Sequence, residues 1–434
     1  MQPGARLQAA IDVLSEIGAR GRAASVVLAD WGRAHRFAGA GDRAFIGNLV
    51  YDSLRRKQSL SHAMQSDAPR AIALAALHRS WGSSPEEIAA LCSGEGFSPE
   101  PLTPEEEKGL GVADLSAAPP WVQGDYPEWL HASFSAAFGE DAIREGQALA
   151  GRAPADLRVN TLKATREKVL KALARHGAVE TPYSPLGVRL PPREGGARSP
   201  NVEADPAHGR GWFEVQDEGS QIAALLSGAG PRMQVADICA GAGGKTLAMA
   251  AQMHNTGQIY AYDADAIRFR PIFERLKRAG ARNVQTLPPG EDSALDALEG
   301  RMDLVLIDAP CTGTGVWRRR PDAKWRLTPA QLAERVDEQR ALLSRAAPLV
   351  RPGGTLAYVT CSLLPEENER QIEAFLESHP GFSPLDVTAR AAAALSRPPQ
   401  NRLPPGKPGL LLTPALHETD GFYIALLRRV NRLF

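Results

Sequence analysis

The chain has 434 residues with 50 basic and 50 acidic side chains, so its formal net charge is zero. This balance gives no general attraction to nucleic acid, and such a partner would have to be met by local clusters such as 55–57 or 318–320. Four cysteines without a Cys-x-x-Cys pair provide neither a disulfide framework nor a four-ligand zinc site, so no metal is expected. Without a membrane-length apolar run or a signal-peptide core, the sequence predicts a cytoplasmic protein.

Residues 1–125 are predicted to form an all-α domain followed by a linker. Apolar residues recur at helical spacing in three segments, which are 7–17, 42–56 and 68–80. The stretch 98–127 is rich in proline, glycine and acid, which is typical of a linker.

A second, small α+β module is predicted over residues 126–210. The text "LRVNTLKATREKVLKALARHG" indicates a short strand, a turn and a helix that ends at Gly177. The turn-rich stretch 181–211 gives no assignment.

From residue 211 to the end, strands and helices alternate. Near-continuous apolar runs separated by helices predict an α/β domain with a doubly wound parallel sheet. The predicted strands are 233–239, 258–263, 283–287, 302–308 and 354–361, and the predicted helices are 245–253, 267–278 and 329–346. Segments 410–414 and 421–429 are expected to pair antiparallel at the end of this sheet.

Ligands of such sheets bind at the carboxyl ends of the strands, where three polar features fall. The first is the loop "DICAGAGGKT", whose glycines let the backbone approach a ligand at a helix start. The second and third are Asp263 and Asp308, which close the second and fourth strands. Because Thr246 stands where a nicotinamide-binding loop has its third glycine, the pattern favours S-adenosylmethionine over NAD.

Two cysteines fall at the same predicted rim of the sheet. Cys311 follows the fourth strand and Cys361 ends the fifth, whereas Cys92 is expected to be a buried, inert residue. Beside a methyl donor, a thiolate that adds to carbon 6 of a pyrimidine makes carbon 5 nucleophilic enough to accept a methyl group. Asp308 is placed to stabilise the charge that develops on the ring. This reasoning predicts pyrimidine carbon-5 methylation and leaves open which cysteine attacks.

At these residues the sequence resembles the RsmB/Sun and NOL/NOP group of RNA 5-cytosine methyltransferases. The resemblance is carried by "DICAGAGGKT", "DAPCTGTGVWRRRPDAKWR", "YVTCSLLPEENE" and "FEVQDEGSQIAALL", and it covers about residues 126–434. It implies a Rossmann-like class I methyltransferase domain over 211–434 and an RRM-like module over 126–210. The segment "DRAFIGNLVYDSLRR" is similar to the NusB-type RNA-binding domain, which is thereby expected over 1–125.

The resemblance also implies roles for individual residues. Cys361 becomes the nucleophile, Cys311 aids product release, and Asp308 contacts the cofactor and the target base. The residues implied to hold S-adenosylmethionine are Cys239, Ala240, Gly241, Ala242, Gly243, Gly244, Lys245, Asp263 and Arg268, together with Asp308. An exposed helix position is an equally good interpretation of Arg268.

The sequence departs from the family pattern at two places. Ala242 stands where the family usually has proline, which predicts a less rigid loop. After the third strand the usual Gly-Asp is replaced by "LPPGEDSA", where Glu291 or Asp292 could take over the contact with adenine.

The implied partner is RNA, with small-subunit ribosomal RNA favoured and transfer RNA as the alternative. The chain is expected to act as a monomer on a flipped or single-stranded base. A competing hypothesis is a non-catalytic RNA-binding ribosome-assembly factor, which would have no need of the two cysteines.

Overall fold

The computed structural model describes residues 1–111 and 114–430, whose contacts divide the chain into two compact units. The first unit comprises Met1–Ala153, Pro192–Pro200 and Trp317–Leu327. The second comprises Pro154–Pro191, Asn201–Val316 and Thr328–Phe434.

The first unit is helical, as predicted for its N-terminal part. Its core contains the apolar stripe of the first helix, including the buried Leu7, Leu14 and Ile17. Its helices are α1 (Pro3–Arg20), α2 (Ala24–Ala34), α3 (Ala40–Arg55), α4 (Lys57–Met64), α5 (Pro69–Trp81), α6 (Pro85–Leu91), α7 (Pro104–Leu110), α8 (Pro120–Gln123), α9 (His131–Phe138) and α10 (Ala142–Leu149).

The stretch predicted as a linker contains two of these helices, α7 and α8. Thr103 caps α7 by accepting a hydrogen bond from the backbone N–H of Glu106 at 3.2 Å. The carboxylate of Glu106 in turn accepts a bond from Arg70 Nε at 2.7 Å. This segment is therefore ordered by a tertiary ion pair as well as by its local capping box.

The second unit contains a small antiparallel sheet in the order β2-β3-β1-β4. Helix α11 follows β1 and its final turn ends at Gly177, as predicted. Strand β3 lies in the unassigned turn-rich stretch. The elements are β1 (Ala155–Val159), α11 (Arg166–Leu173), β2 (Val179–Glu180), β3 (Gly187–Leu190), α12 (Pro206–Gly209) and β4 (Phe213–Val215).

The compact units do not follow the three predicted domains. Residues 126–153 form helices of the first unit, and β4 lies beyond Arg210. The division at 125 and 210 stays a prediction.

The large sheet of the second unit has the order β10-β12-β9-β8-β5-β6-β7, with β11 paired to β12. Neighbouring strands from β9 to β7 run parallel, and β12 pairs antiparallel with both β9 and β11. This confirms the doubly wound sheet with an antiparallel closing pair. The strands are β5 (Gln234–Asp237), β6 (Gln258–Ala261), β7 (Val284–Thr286), β8 (Met302–Asp308), β9 (Val350–Thr360), β10 (Phe382–Pro384), β11 (Leu410–Leu412) and β12 (Phe422–Arg429).

The helix predicted over 329–346 is present with those bounds. The one predicted over 267–278 is split, because Pro271 has no N–H to continue the ladder. The remaining helices are α13 (Glu218–Ser227), α14 (Gly244–Gln252), α15 (Ala266–Phe269), α16 (Ile272–Ala279), α17 (Ala323–Arg326), α18 (Pro329–Ala346), α19 (Glu369–Ser378), α20 (Val387–Ala394) and α21 (Pro414–His417). Short 3-10 turns lie at 128–130, 139–141, 174–176, 202–204, 292–298, 314–316 and 347–349.

The register of the large sheet brings three strand ends to one edge. Strand β8 lies between β5 and β9 and pairs parallel with both, with Asp308 opposite Val359. The loops after Asp237, Asp308 and Thr360 therefore leave the sheet side by side. In the described parts of the chain, no helix has the length and apolar character that a membrane crossing requires.

Candidate active site

The glycine loop joins β5 to α14. Gly241 and Gly243 have φ values of +50° and +84°, which side chains other than glycine rarely adopt. A Cβ atom on Gly243 would lie 2.6 Å from Ile272 Cγ1 on α16, whereas the nearest atom to one on Gly241 would be Arg268 Nη2 at 3.6 Å. Gly243 is therefore required for packing, whereas a Cβ atom on Gly241 would be in ordinary contact with Arg268 and Asp263, which lie beside the loop.

Asp263, which follows β6, organises this loop. Its Oδ2 accepts a hydrogen bond from the N–H of Gly241 at 2.8 Å, and its Oδ1 accepts one from the N–H of Asp265 at 2.9 Å. Arg268 Nη2 lies 3.8 Å from Oδ2, and about half of its side chain is exposed. The predicted loop, acid and arginine thus lie together at the end of β6.

The beginning of the loop is buried. The Ala240 N–H donates to the carbonyl of Tyr262 at 2.9 Å, which ties the loop to the end of β6. Burial raises the pKa of the Cys239 thiol well above its usual value. Cys239 is therefore a packing residue of the loop rather than a reactive thiol.

Asp237, the last residue of β5, is a buried carboxyl beneath the loop. Its Oδ2 accepts a hydrogen bond from Thr246 Oγ1 at 2.7 Å. Burial raises its pKa from 3.8 to about 7, so the group is partly protonated at neutral pH.

Lys245 and Asp308 form an ion pair between the glycine loop and the end of β8. Lys245 Nζ donates to Asp308 Oδ2 at 2.6 Å and lies 5.3 Å from the ring centroid of Phe422. The lysine is buried, whereas about a third of the Asp308 side chain is exposed. Asp308 is thus held by its buried partner and still has an open side toward a ligand.

The two cysteines predicted to share a rim are in contact. The sulfur atoms of Cys311 and Cys361 are 3.4 Å apart, and both residues are partly exposed. The hydrogen bond with Cys361, together with burial, raises the pKa of Cys311 well above its usual value. Cys92, by contrast, is buried at the end of α6 in the first unit.

The backbone fixes the loops that carry these thiols. The Ala309 N–H donates to the Val359 carbonyl at 2.8 Å, and the Gly315 N–H donates to the Cys361 carbonyl at 2.9 Å. The hydroxyl of Thr314 also accepts a hydrogen bond from the N–H of Leu363 at 2.8 Å. The two loops are therefore linked on either side of the sulfur atoms.

The acids in "LPPGEDSA" lie after β7. Asp292 begins a 3-10 turn and accepts a hydrogen bond from Tyr262 Oη at 2.5 Å, while Glu291 is exposed. Since Tyr262 directly precedes Asp263, Asp292 lies on the Asp263 side of the sheet edge. Both Glu291 and Asp292 are exposed, and a contact of either with adenine stays a prediction.

The arginines at 318–320, suggested by sequence as RNA contacts, belong to the first unit. Arg318 is buried, and its carbonyl accepts a hydrogen bond from Arg55. A buried side chain is unsuited to meet RNA phosphates, so the suggestion does not hold for Arg318.

Sequence reasoning missed Glu367, a fully buried carboxylate beside both cysteine loops. Its Oε1 accepts a hydrogen bond from the N–H of Thr312 at 2.8 Å, and its Oε2 accepts one from Ser362 Oγ. The only sequence feature that pointed to it was the segment "PEENE" at 365–369, which belongs to the family resemblance but was given no role.

Comparisons with known proteins agree on the region that holds this site. Residues 228–428 match the family model described as 16S rRNA methyltransferase RsmB/F, and residues 126–193 match the model of a ferredoxin-like domain of RsmF/B-like methyltransferases. A probable ribosomal RNA small subunit methyltransferase B from Synechocystis is 34% identical over 75% of this chain and 71% of its own length.

Solved structures are similar as well. The crystal structure of PH0851 has a TM-score of 0.72 at 26% identity and covers 98% of this chain and 99% of its own. A methyltransferase homolog from Pyrococcus horikoshii has a TM-score of 0.58 at 29% identity and covers 73% of this chain and 100% of its own.

Proposed function

The chain belongs to the RsmB/F family of S-adenosylmethionine-dependent rRNA methyltransferases, and on that premise we propose that it methylates carbon 5 of a cytosine in RNA. The observation that carries this proposal is the pair of thiols 3.4 Å apart beside Asp308. Methylation of an exocyclic nitrogen or a ribose hydroxyl has no need of a thiol nucleophile, whereas carbon 5 of a pyrimidine does.

In the proposed reaction Cys361 attacks carbon 6 of the cytosine, which makes carbon 5 electron-rich. S-adenosylmethionine supplies the electrophilic methyl group. A general base then takes the carbon-5 proton, the electron pair of that C–H bond re-forms the double bond between carbons 5 and 6, and Cys361 leaves as a thiolate. Asp308, held by Lys245 at 2.6 Å, faces the base and stabilises the charge that develops on the ring.

Cys311 is assigned to product release. This division of roles follows the family resemblance, which assigns the attack on carbon 6 to Cys361. The contact of Cys311 with the Cys361 sulfur at 3.4 Å supports its role in release.

The cofactor would be held by the loop from Cys239 to Lys245 together with Asp263, Arg268 and Asp308. The grouping of the glycine loop with Asp263 and the half-exposed Arg268 supports this assignment. The carbonyl of Ala242 accepts a hydrogen bond from Arg275 Nη1 at 2.9 Å. This bond restricts the loop at the position where the family usually has proline.

Release of tritium from RNA labelled at carbon 5 of cytosine tests the proposal. We expect wild-type protein with S-adenosylmethionine to release tritium and Cys361→Ala to release none, since no other step activates carbon 5. Cys92→Ala, which removes a buried thiol in the first unit, is the matched control and should retain the wild-type rate. Methyl transfer to RNA without tritium release would contradict carbon-5 chemistry.

The name of the Synechocystis relative favours small-subunit ribosomal RNA as the substrate, with transfer RNA as the alternative. We further propose that the protein acts as a monomer in the cytoplasm. Bisulfite sequencing of ribosomal and transfer RNA from a deletion strain would identify the cytosine that loses its methyl group.

A further inference from the structure

Glu367 lies between the two loops that carry the cysteines. The side chain is fully buried, and both carboxylate oxygens accept hydrogen bonds. Oε1 accepts from the N–H of Thr312 at 2.8 Å, and Oε2 accepts from Thr312 Oγ1 at 2.5 Å and from Ser362 Oγ. A buried carboxylate is retained only where its oxygens are satisfied in this way.

The donors of these bonds follow the cysteines directly. Thr312 comes after Cys311 and Ser362 comes after Cys361, so one carboxylate joins the two residues adjacent to the reactive pair. The two loops come from different strands and are 50 residues apart in sequence, yet their sulfur atoms approach to 3.4 Å. The shared acceptor is a direct side-chain connection between them.

A third segment completes this arrangement. Gln339 on α18 is fully buried and donates from Nε2 to Glu367 Oε1 at 3.0 Å and to the Pro310 carbonyl at 2.9 Å. The backbone carbonyl of Glu367 itself accepts a hydrogen bond from Tyr358 Oη on β9 at 2.7 Å. Glu367 is thus fixed from α18 and β9 as well as from both cysteine loops.

We propose that Glu367 is a positioning residue that holds Cys311 and Cys361 in contact by accepting hydrogen bonds from Thr312 and Ser362. For catalysis, this inference rests on the proposed function, because the contact matters only if one thiol forms the adduct and the other helps to break it. Small displacements of reacting groups reduce rates steeply, about 100-fold for an error of about 1 Å.

The distance between the thiols can be measured without RNA by their coupling with diamide. One thiolate adds to the diazene, and the second thiol displaces the product, so two thiols become a disulfide while the diazene is reduced to a hydrazine. Coupling needs both sulfur atoms within reach of each other. Mass spectrometry of unreduced peptides identifies the Cys311–Cys361 link and its rate of formation.

We expect Glu367→Ala to slow this coupling at least about 10-fold and to lower kcat for methyl transfer by about 100-fold. The Kd for S-adenosylmethionine should change less than about 2-fold, since the hydrogen bonds of the Glu367 carboxylate go to Thr312, Gln339 and Ser362 and not to the glycine loop. Glu367→Gln should retain most of both rates. Its amide oxygen can still accept from Thr312 N and Gln339, and its amide nitrogen can donate to the two hydroxyls.

Glu377→Ala is the matched control, because it removes an exposed glutamate from α19, the helix that follows Glu367. It should leave coupling, kcat and cofactor affinity unchanged. If Glu367→Ala does not fold, Thr312→Val replaces it, since this change removes the 2.5 Å hydroxyl bond and keeps the backbone bond. We expect Thr312→Val to reduce the coupling rate and kcat about 5-fold.

Wild-type rates of coupling and methyl transfer in Glu367→Ala, or in Thr312→Val where that variant stands in, would overturn the proposal. So would a loss in Glu367→Gln as large as in Glu367→Ala, because that would indicate a role for the charge rather than for the hydrogen bonds. If the wild-type protein methylated no RNA, the proposed function would fail, and the coupling rates would still decide whether Glu367 positions the thiols.

Discussion

The sulfur atoms of Cys311 and Cys361 share a hydrogen bond within the site. That hydrogen bond, together with burial, raises the pKa of Cys311 well above its usual value. Chemical reasoning from sequence left the two cysteines equal as nucleophiles, and the choice of Cys361 comes from the family resemblance. Their contact, in turn, was predictable, because Cys311 and Cys361 follow neighbouring parallel strands.

Asp237 should make the stability of the protein depend on pH. Because burial raises its folded-state pKa to about 7, the folded chain holds this proton more tightly than the unfolded chain. The protonated Asp237 therefore adds to the free energy of unfolding. This contribution is fully present below about pH 4 and is lost as the pH rises through about 7.

Between pH 5 and 8, wild-type protein should therefore lose about 3 kcal/mol of unfolding free energy that Asp237→Asn does not lose. The amide of the variant can still accept the bond from Thr246 Oγ1. Urea unfolding at the two pH values measures the difference, and parallel pH profiles for the two proteins would rule out the buried titration.

Among the elements, the long helix and the strands of the large sheet other than β10 were predictable because local signals agree with the fold. Helix α18 has a capping box at Thr328 and Gln331, and the strands of the large sheet are apolar runs. The helix at Pro104–Leu110 was not predicted, because its composition is typical of linkers. The ion pair that holds it joins its Glu106 to Arg70, which is distant in sequence.

Glu367 was not predictable for a similar reason. Its partners come from three separate segments, at Thr312, Gln339 and Ser362. Only the folded sheet brings them together, so no spacing in the sequence indicates the cluster.

The junction between the glycine loop and α16 depends on Gly243. An alanine there would adopt an unfavourable positive φ and would also place its Cβ 2.6 Å from Ile272 Cγ1. We expect Gly243→Ala to lower the unfolding free energy by about 2–4 kcal/mol.

Gly241→Ala is the matched control for that change. It has the same positive-φ strain, but the atom nearest to its Cβ would be Arg268 Nη2 at 3.6 Å, so we expect a loss of only about 1–2 kcal/mol. Denaturant unfolding of both variants without cofactor makes the comparison. Equal losses would show that the contact with Ile272 has no cost.

At the scale of the whole molecule, the segment Trp317–Leu327 packs within the helical unit although it continues the Cys311 loop. Trp317 is buried and stacks on Phe134 with ring centroids 6.0 Å apart. Lys324 is buried and donates to the carbonyls of Arg55 and Asp125. The sequence analysis included this segment in the predicted methyltransferase domain over 211–434. Its packing was not predictable, because an eleven-residue segment has too little periodicity to indicate where it packs.

We therefore expect Trp317→Ala to destabilise the helical unit by about 3–5 kcal/mol, because it empties a buried aromatic site. Arg320→Ala, at an exposed position of the same segment, should change stability by less than about 0.5 kcal/mol. Thermal unfolding of the full chain compares them. A Trp317→Ala protein as stable as Arg320→Ala would show that the segment is not part of the helical core.

The account depends most on Cys361 as the nucleophile and Cys311 as the thiol that aids release. Denaturing gel electrophoresis of Cys311→Ala, incubated with S-adenosylmethionine and small-subunit ribosomal RNA, tests both roles at once. We predict a covalent protein–RNA band that accumulates in this variant and disappears in the double variant Cys311→Ala/Cys361→Ala. A band that persists after Cys361 is removed would contradict the assignment.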